Sequence, residues 1–146
     1  MPTLSQNPAL GTFALTAAAL SVLLLVLWAL TGVARGKSKL TPNAEDAKGA
    51  TALKAEDPEG VTRSMRVYMN ALANIVPFLI TAFAWVMLGA DAGTARIIFG
   101  VFVGARVLHA FAYSYGKQPW RTIFFVVAQL ATLAVIVQAV RAAVAV

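Results

Sequence analysis

Cysteine is absent from the sequence, histidine occurs once, and acidic residues number only six. Without cysteine there are no disulfides, no thiolate metal sites and no cysteine nucleophile, so any thiol chemistry needs a thiol supplied from outside. One histidine and few carboxylates leave too few ligands for an all-protein transition-metal site, and no metal is expected. Charge is missing altogether between Met1 and Ala34. A cleavable signal peptide would carry positive charge ahead of its apolar run. Here Arg35, Lys37 and Lys39 follow the run, which predicts an uncleaved first helix.

Apolar residues are abundant: 60% of the chain is hydrophobic, and the mean hydropathy is +0.75. A soluble domain of 146 residues has too little interior for that much apolar surface, so part of the solvent must be lipid. The length fits one domain. Twelve basic residues against six acidic ones give a net charge of +6. The basic residues sit beside apolar runs, so they are read as membrane orientation signals and not as a nucleic-acid surface.

Hydropathy and turn residues predict an all-α, integral membrane four-helix bundle in a single domain, 1–146. The helices are expected at about 9–34, 59–88, 94–115 and 120–141. The first is long enough to cross a hydrocarbon core of roughly 30 Å at about 1.5 Å per residue. Residues 35–58 form a polar loop holding Pro42, Gly49 and Pro58, with a short helix expected near Ala44–Ala55. Asp57-Pro58-Glu59 suits the start of helix two, where the dipole favours negative charge. Pro77, inside helix two, removes one backbone donor and crowds the carbonyl of Ala73, which predicts a kink.

Four spans put both termini on one side. Loop one and the start of helix two carry Arg35, Lys37, Lys39, Lys48, Lys54, Arg63 and Arg66, and loop three adds Lys117 and Arg121. The other side has only Arg96 and Arg141. The basic excess predicts cytoplasmic loops one and three and non-cytoplasmic termini. The expected setting is a bacterial inner membrane.

The stretch "GARVLHAFAYSYGKQPWRT" breaks the apolar pattern. Arg106, His109 and Tyr113 fall at i, i+3 and i+7 and share one helix face. Arg63, Arg66 and Asn70 have the same spacing on helix two. Both sets lie toward the cytoplasmic ends of their helices, level with Arg35 and Arg121. Lys37 and Lys39 fit ordinary headgroup anchors, and His109 alone would as readily be a packing residue. Arg106 is harder to place that way, because it lies well inside its helix and no acidic residue within a span can pair it. Periodicity thus predicts a basic, polar cleft near the cytoplasmic face, and leaves the identity of its anion open.

"EDPEGVTRSMRVYMNALANIVPFLI" followed by "GARVLHAFAYSYGKQPWRT" resembles the MAPEG family, the membrane-associated proteins in eicosanoid and glutathione metabolism, and most of all its microsomal glutathione transferase-like members. "TGVARGKSK" at the end of helix one resembles the family too. The resemblance implies a homotrimer with glutathione as co-substrate, bound between neighbouring subunits. It also implies transferase or peroxidase action on lipophilic small molecules within membrane lipid. Carried over by position, Arg35 would reach glutathione in the adjacent subunit. Arg66 and Asn70 would come from helix two, and His109 and Tyr113 from helix three, with Arg106 structural or at the site's edge. Arg121 and Thr122 would approach the sulfur, with Arg121 and Tyr113 the catalytic pair. Asp46 matches a loop acid able to pair with Arg121.

Two departures from the family pattern stand out. Ala73 occupies a position that is commonly glutamate, and Phe125 one that is tyrosine in some members. The first weakens the expectation of glutathione capture and favours the alternative of a non-catalytic lipid-binding protein on the same scaffold. The second disfavours the eicosanoid-synthase subtypes. A small proton-coupled exporter would need an intramembrane carboxylate, and the spans carry none.

Overall fold

The computed structural model describes residues 7–49 and 51–145. Among them, four helices are long and apolar enough to cross a membrane: α1 (Pro8–Ser38), α2 (Glu59–Met87), α3 (Ala92–Ser114) and α4 (Trp120–Val144). Each begins and ends for local reasons. The side chain of Asn7 accepts from the Ala9 amide at 2.9 Å, and Pro8 supplies a first-turn residue that needs no donor. Arg35 and Lys37 sit in the last turn of α1, where the dipole favours cations. Asp91 caps α3 by accepting from the Thr94 amide at 2.8 Å and the Thr94 hydroxyl at 2.7 Å. At the other end of α3, the amide of Lys117 reaches the carbonyl of Ala112 at 2.8 Å. Gly116 stands at φ 64° between them, a backbone state that glycine adopts without strain.

The helices alternate in direction. Asn7 Nδ2 donates to the carbonyl of Val86 at 2.8 Å, tying the start of α1 to the end of α2. α1 packs along α2 and α3, and α4 along α3 and α2. α2 also meets α3 across the middle, while α1 and α4 occupy opposite corners. Buried alanines at 95, 105 and 110 of α3 and 128, 131 and 139 of α4 allow close backbone approach, the usual device between helices in lipid. Toward the end with the α2–α3 turn, aromatic rings fill the core. Phe78 stacks on Phe102 with centroids 3.6 Å apart, and Phe99 packs edge-on against Phe78 and Trp85. α2 runs uninterrupted through Pro77, with Asn74 Nδ2 donating to the carbonyl of Asn70 and the Thr81 hydroxyl to that of Pro77.

The loop between α1 and α2 corrects one expectation. No helix spans Ala44–Ala55; a single 3-10 turn covers Ala44–Asp46, and Ala50 lies outside the described residues. Gly49, at φ 60°, turns the chain, and strand β1 (Leu40–Thr41) pairs in parallel with β2 (Ala52–Leu53). Isolated short helices gain too little from each added bond to resist such pairing. α1 and α4 also run three to four residues beyond the expected ends.

Candidate functional site

A cleft of about 200 Å³ opens where α2, α3 and the N-terminus of α4 meet. Asn70, His109, Tyr113, Arg121, Thr122 and Phe125 line it. The i, i+4 step on α3 places His109 and Tyr113 one above the other, with ring centroids 5.7 Å apart. On α4, Arg121 and Phe125 repeat that step, and Phe125 lies 5.8 Å from the imidazole. The Arg121 guanidinium carbon lies 4.6 Å from the centroid of the Tyr113 ring, a cation–π arrangement that holds the cation at the mouth without a carboxylate. Thr122 donates its hydroxyl to Gln118 Oε1 at 3.1 Å.

Arg106 lies behind this cleft. Its side chain is 1% exposed, and Nη2 donates to Asn70 Oδ1 at 3.0 Å. A guanidinium can only donate, so this contact fixes which end of the Asn70 amide is oxygen. The amide nitrogen of Asn70 is then the donor left for the cleft. Arg106 Nε and Nη1, and His109 Nδ1, are buried without a partner among the described residues. The two guanidinium nitrogens can only donate, so the surroundings of Arg106 leave a demand for acceptors behind the cleft.

The structure brings together Asn70, Arg106, His109, Tyr113, Arg121 and Thr122. Two other candidates are held elsewhere within the chain. Arg35 forms a two-pronged ion pair with Asp57, Nη1 to Oδ1 and Nη2 to Oδ2, both at 2.8 Å. Arg66 is exposed, as is Ala73 two turns further along α2. Asp46 accepts from Asn43 Nδ2 at 3.0 Å and makes no ion pair with Arg121 within the chain. Phe125 belongs to the lining although it was not among the expected site residues. Its position four residues after Arg121 on one helix was the available signal. Asp57 was likewise missed as the partner of Arg35, since a contact across 22 residues of loop has no sequence period.

A four-helix bundle of membrane-spanning length, with a polar, aromatic-walled cleft at one end, defines a class of small integral membrane proteins. Within that class, the MAPEG family model matches residues 13–141, and the chain belongs to the MAPEG family. It is accordingly an integral, multi-pass membrane protein. The chain is 36% identical over 136 residues to microsomal glutathione S-transferase 1 of Rattus norvegicus, covering 89% of this chain and 88% of the relative. It is 35% identical over 129 residues to prostaglandin E synthase of Macaca fascicularis and of Homo sapiens, covering 86% of this chain and 84% of each relative.

Proposed function

We propose that this protein is a membrane-bound glutathione transferase, with peroxidase action as a second use of the same thiolate, acting on lipophilic electrophiles. The observation that carries this reading is the Arg121 guanidinium held over Tyr113 at the N-terminus of α4, beside the amide donor of Asn70. A free thiol near pKa 8.5 is mostly protonated at neutral pH, and a close guanidinium and a helix N-terminus both favour its thiolate. The thiolate sulfur then forms a bond to the electrophilic carbon, and the leaving group departs with the bonding electrons. With a hydroperoxide, the sulfur attacks the distal oxygen, the O–O bond breaks, and the alkoxide leaves with the bonding electrons and takes up a proton as the alcohol. The resulting sulfenic form is reduced by a second glutathione to disulfide and water.

The cleft in one chain is small for a tripeptide, since ligand sites commonly run to about 300 Å³ or more. Its open side and the exposed Arg66 support a site completed by a neighbouring chain in a homotrimer, to which Arg35 would contribute. Loops one and three are assigned to the cytoplasm from the basic excess. A cysteine placed at Ser38 of this cysteine-free chain should resist an impermeant label in intact cells, and one placed at Gly93 should accept it.

Relatives of both names stand at nearly equal identity, so identity does not separate them. Phe125 in the cleft favours the transferase, because it supplies a hydrocarbon edge where a tyrosine would add a hydroxyl. Ala73 favours a second reading, a lipid-binding protein without catalysis. Thiolate absorbance on adding glutathione to purified protein, with conjugation of a reactive aryl halide, supports the enzyme. Lipid binding with neither signal would overturn it.

A further inference from the structure

A second groove, of about 280 Å³, runs between the C-terminal end of α1, the start of α2 and the end of α3. It shares no residue with the Asn70–Arg121 cleft. Leu27, Leu30 and Val33 line its inner part, and Lys37, Ser64 and Ser114 its outer end. Leu30, Val33 and Lys37 fall at i, i+3 and i+7 and so share one face of α1. Leu27 to Lys37 covers about 15 Å along the helix axis. The lining thus changes from hydrocarbon to cation along the direction from mid-membrane to the loop-bearing end.

The charge at that end belongs to Lys37. The two ion pairs among the described residues are Arg35–Asp57 and Arg63–Glu59, and Lys37 is in neither. Arg63 lies close by, with Nη1 only 3.0 Å from where a Cβ on Gly116 would stand, but Glu59 at 3.4 Å offsets it. Ser64 and Ser114 bond back to the carbonyls of Gly60 and Ala110 and bring no charge. Leu30 and Val33 are about half exposed, so the groove opens sideways out of the bundle.

We infer that this groove seats an anionic phospholipid of the loop-side leaflet, with one acyl chain along Leu27, Leu30 and Val33 and the phosphate against Lys37. Hydrocarbon below an interfacial cation is the polarity order of a lipid in its leaflet, and basic pockets between spanning helices suit anionic headgroups. A helix from a second chain is the competing occupant of the apolar part, and it is an outcome of the test.

The test is lipid retention by the purified protein, read by native mass spectrometry after exchange with dioleoylphosphatidylglycerol or dioleoylphosphatidylcholine. The wild type should retain the anionic lipid preferentially. Lys37→Gln should cut that preference about fivefold, the affinity one lysine contributes at a membrane surface. Lys39→Gln, which removes the same charge outside the groove, should leave it unchanged. Leu30→Trp, which fills the half-exposed floor, should lower retention of both lipids. Equal retention of the two lipids by the wild type would overturn the inference, as would Lys39→Gln matching Lys37→Gln. Loss of oligomer in Leu30→Trp with lipid retention intact would assign the groove to a second chain.

Discussion

Arg106 on α3 is joined to Asn70 on α2 by a 3.0 Å hydrogen bond, and Asn70 also lines the cleft. Arg106 therefore sets the direction in which Asn70 presents its amide. Asn70→Ala should lower the unfolding free energy by about 1–3 kcal/mol, because it strips a buried charged donor of its acceptor. Arg106→Met removes the charge and keeps the volume, so it should hold or raise the thermal midpoint while weakening glutathione binding. A large drop in midpoint for Arg106→Met would show that its other nitrogens have partners in the assembled protein.

Arg121 provides the test of activation. Arg121→Leu should leave the helical circular dichroism and the thermal midpoint near wild type, since the guanidinium lies at the cleft mouth over Tyr113. It should raise the thiol pKa of bound glutathione. Turnover of an aryl halide should fall about tenfold for each 1.4 kcal/mol of transition-state stabilisation lost. Raising the pH should restore part of that rate, because bulk ionisation then supplies thiolate. A pH profile parallel to the wild type would exclude Arg121 from activation.

Ala73 is exposed on α2. A carboxylate there stays accessible to the ammonium of glutathione and is not forced into the core. Ala73→Glu should tighten glutathione binding by about 1 kcal/mol, the order of a charge-assisted hydrogen bond after desolvation. Unchanged affinity by titration calorimetry in a folded variant would mean that another group already meets the ammonium.

Arg35 offers two roles that one cycle of variants can separate. Within the chain it clamps Asp57 at 2.8 Å, with both groups partly exposed. If that ion pair is its whole task, Arg35→Ala, Asp57→Ala and the double variant should close a thermodynamic cycle with a coupling of about 0.5–1 kcal/mol and equal activities. If Arg35 serves a neighbouring site, Arg35→Ala alone should raise the KM for glutathione. Mixed oligomers of Arg35→Ala and Arg121→Ala subunits should then recover activity that neither has alone.

Asp91 gives a pH dependence whose sign is set by its cap. The Thr94 amide, and next the Thr94 hydroxyl, hold its carboxylate below the ordinary value of 3.8. A lowered folded-state pKa stabilises the fold above 3.8 and loses that contribution as the pH falls through the folded value. Asn also caps helices but does not titrate. The thermal midpoint of the wild type should thus fall relative to Asp91→Asn as acid is added below that range, and the two should run parallel above it.

Much of this architecture follows from the sequence because its causes are local. Uncharged runs of spanning length, Pro8 and Pro119 at helix starts, and Gly89 and Gly116 at positive φ act within a few residues of where they stand. The α-helical repeat likewise placed Arg106, His109 and Tyr113 on one face before any packing was known. The loop was misjudged for the complementary reason. A few alanines favour a helix only weakly, and the pairing of Leu40–Thr41 with Ala52–Leu53 joins residues whose contact no period announces. The arginines mark the boundary most clearly. Arg35, Arg66 and Arg121 look alike in sequence, each a cation near one end of a span, and Arg106 stands apart only by lying deeper in its helix. Only the packing of the helices sent the first to Asp57, left the second outside, buried the third behind Asn70 and laid the fourth over Tyr113. A long side chain can reach several acceptors at similar cost, so its destination depends on what the neighbouring helices bring within reach.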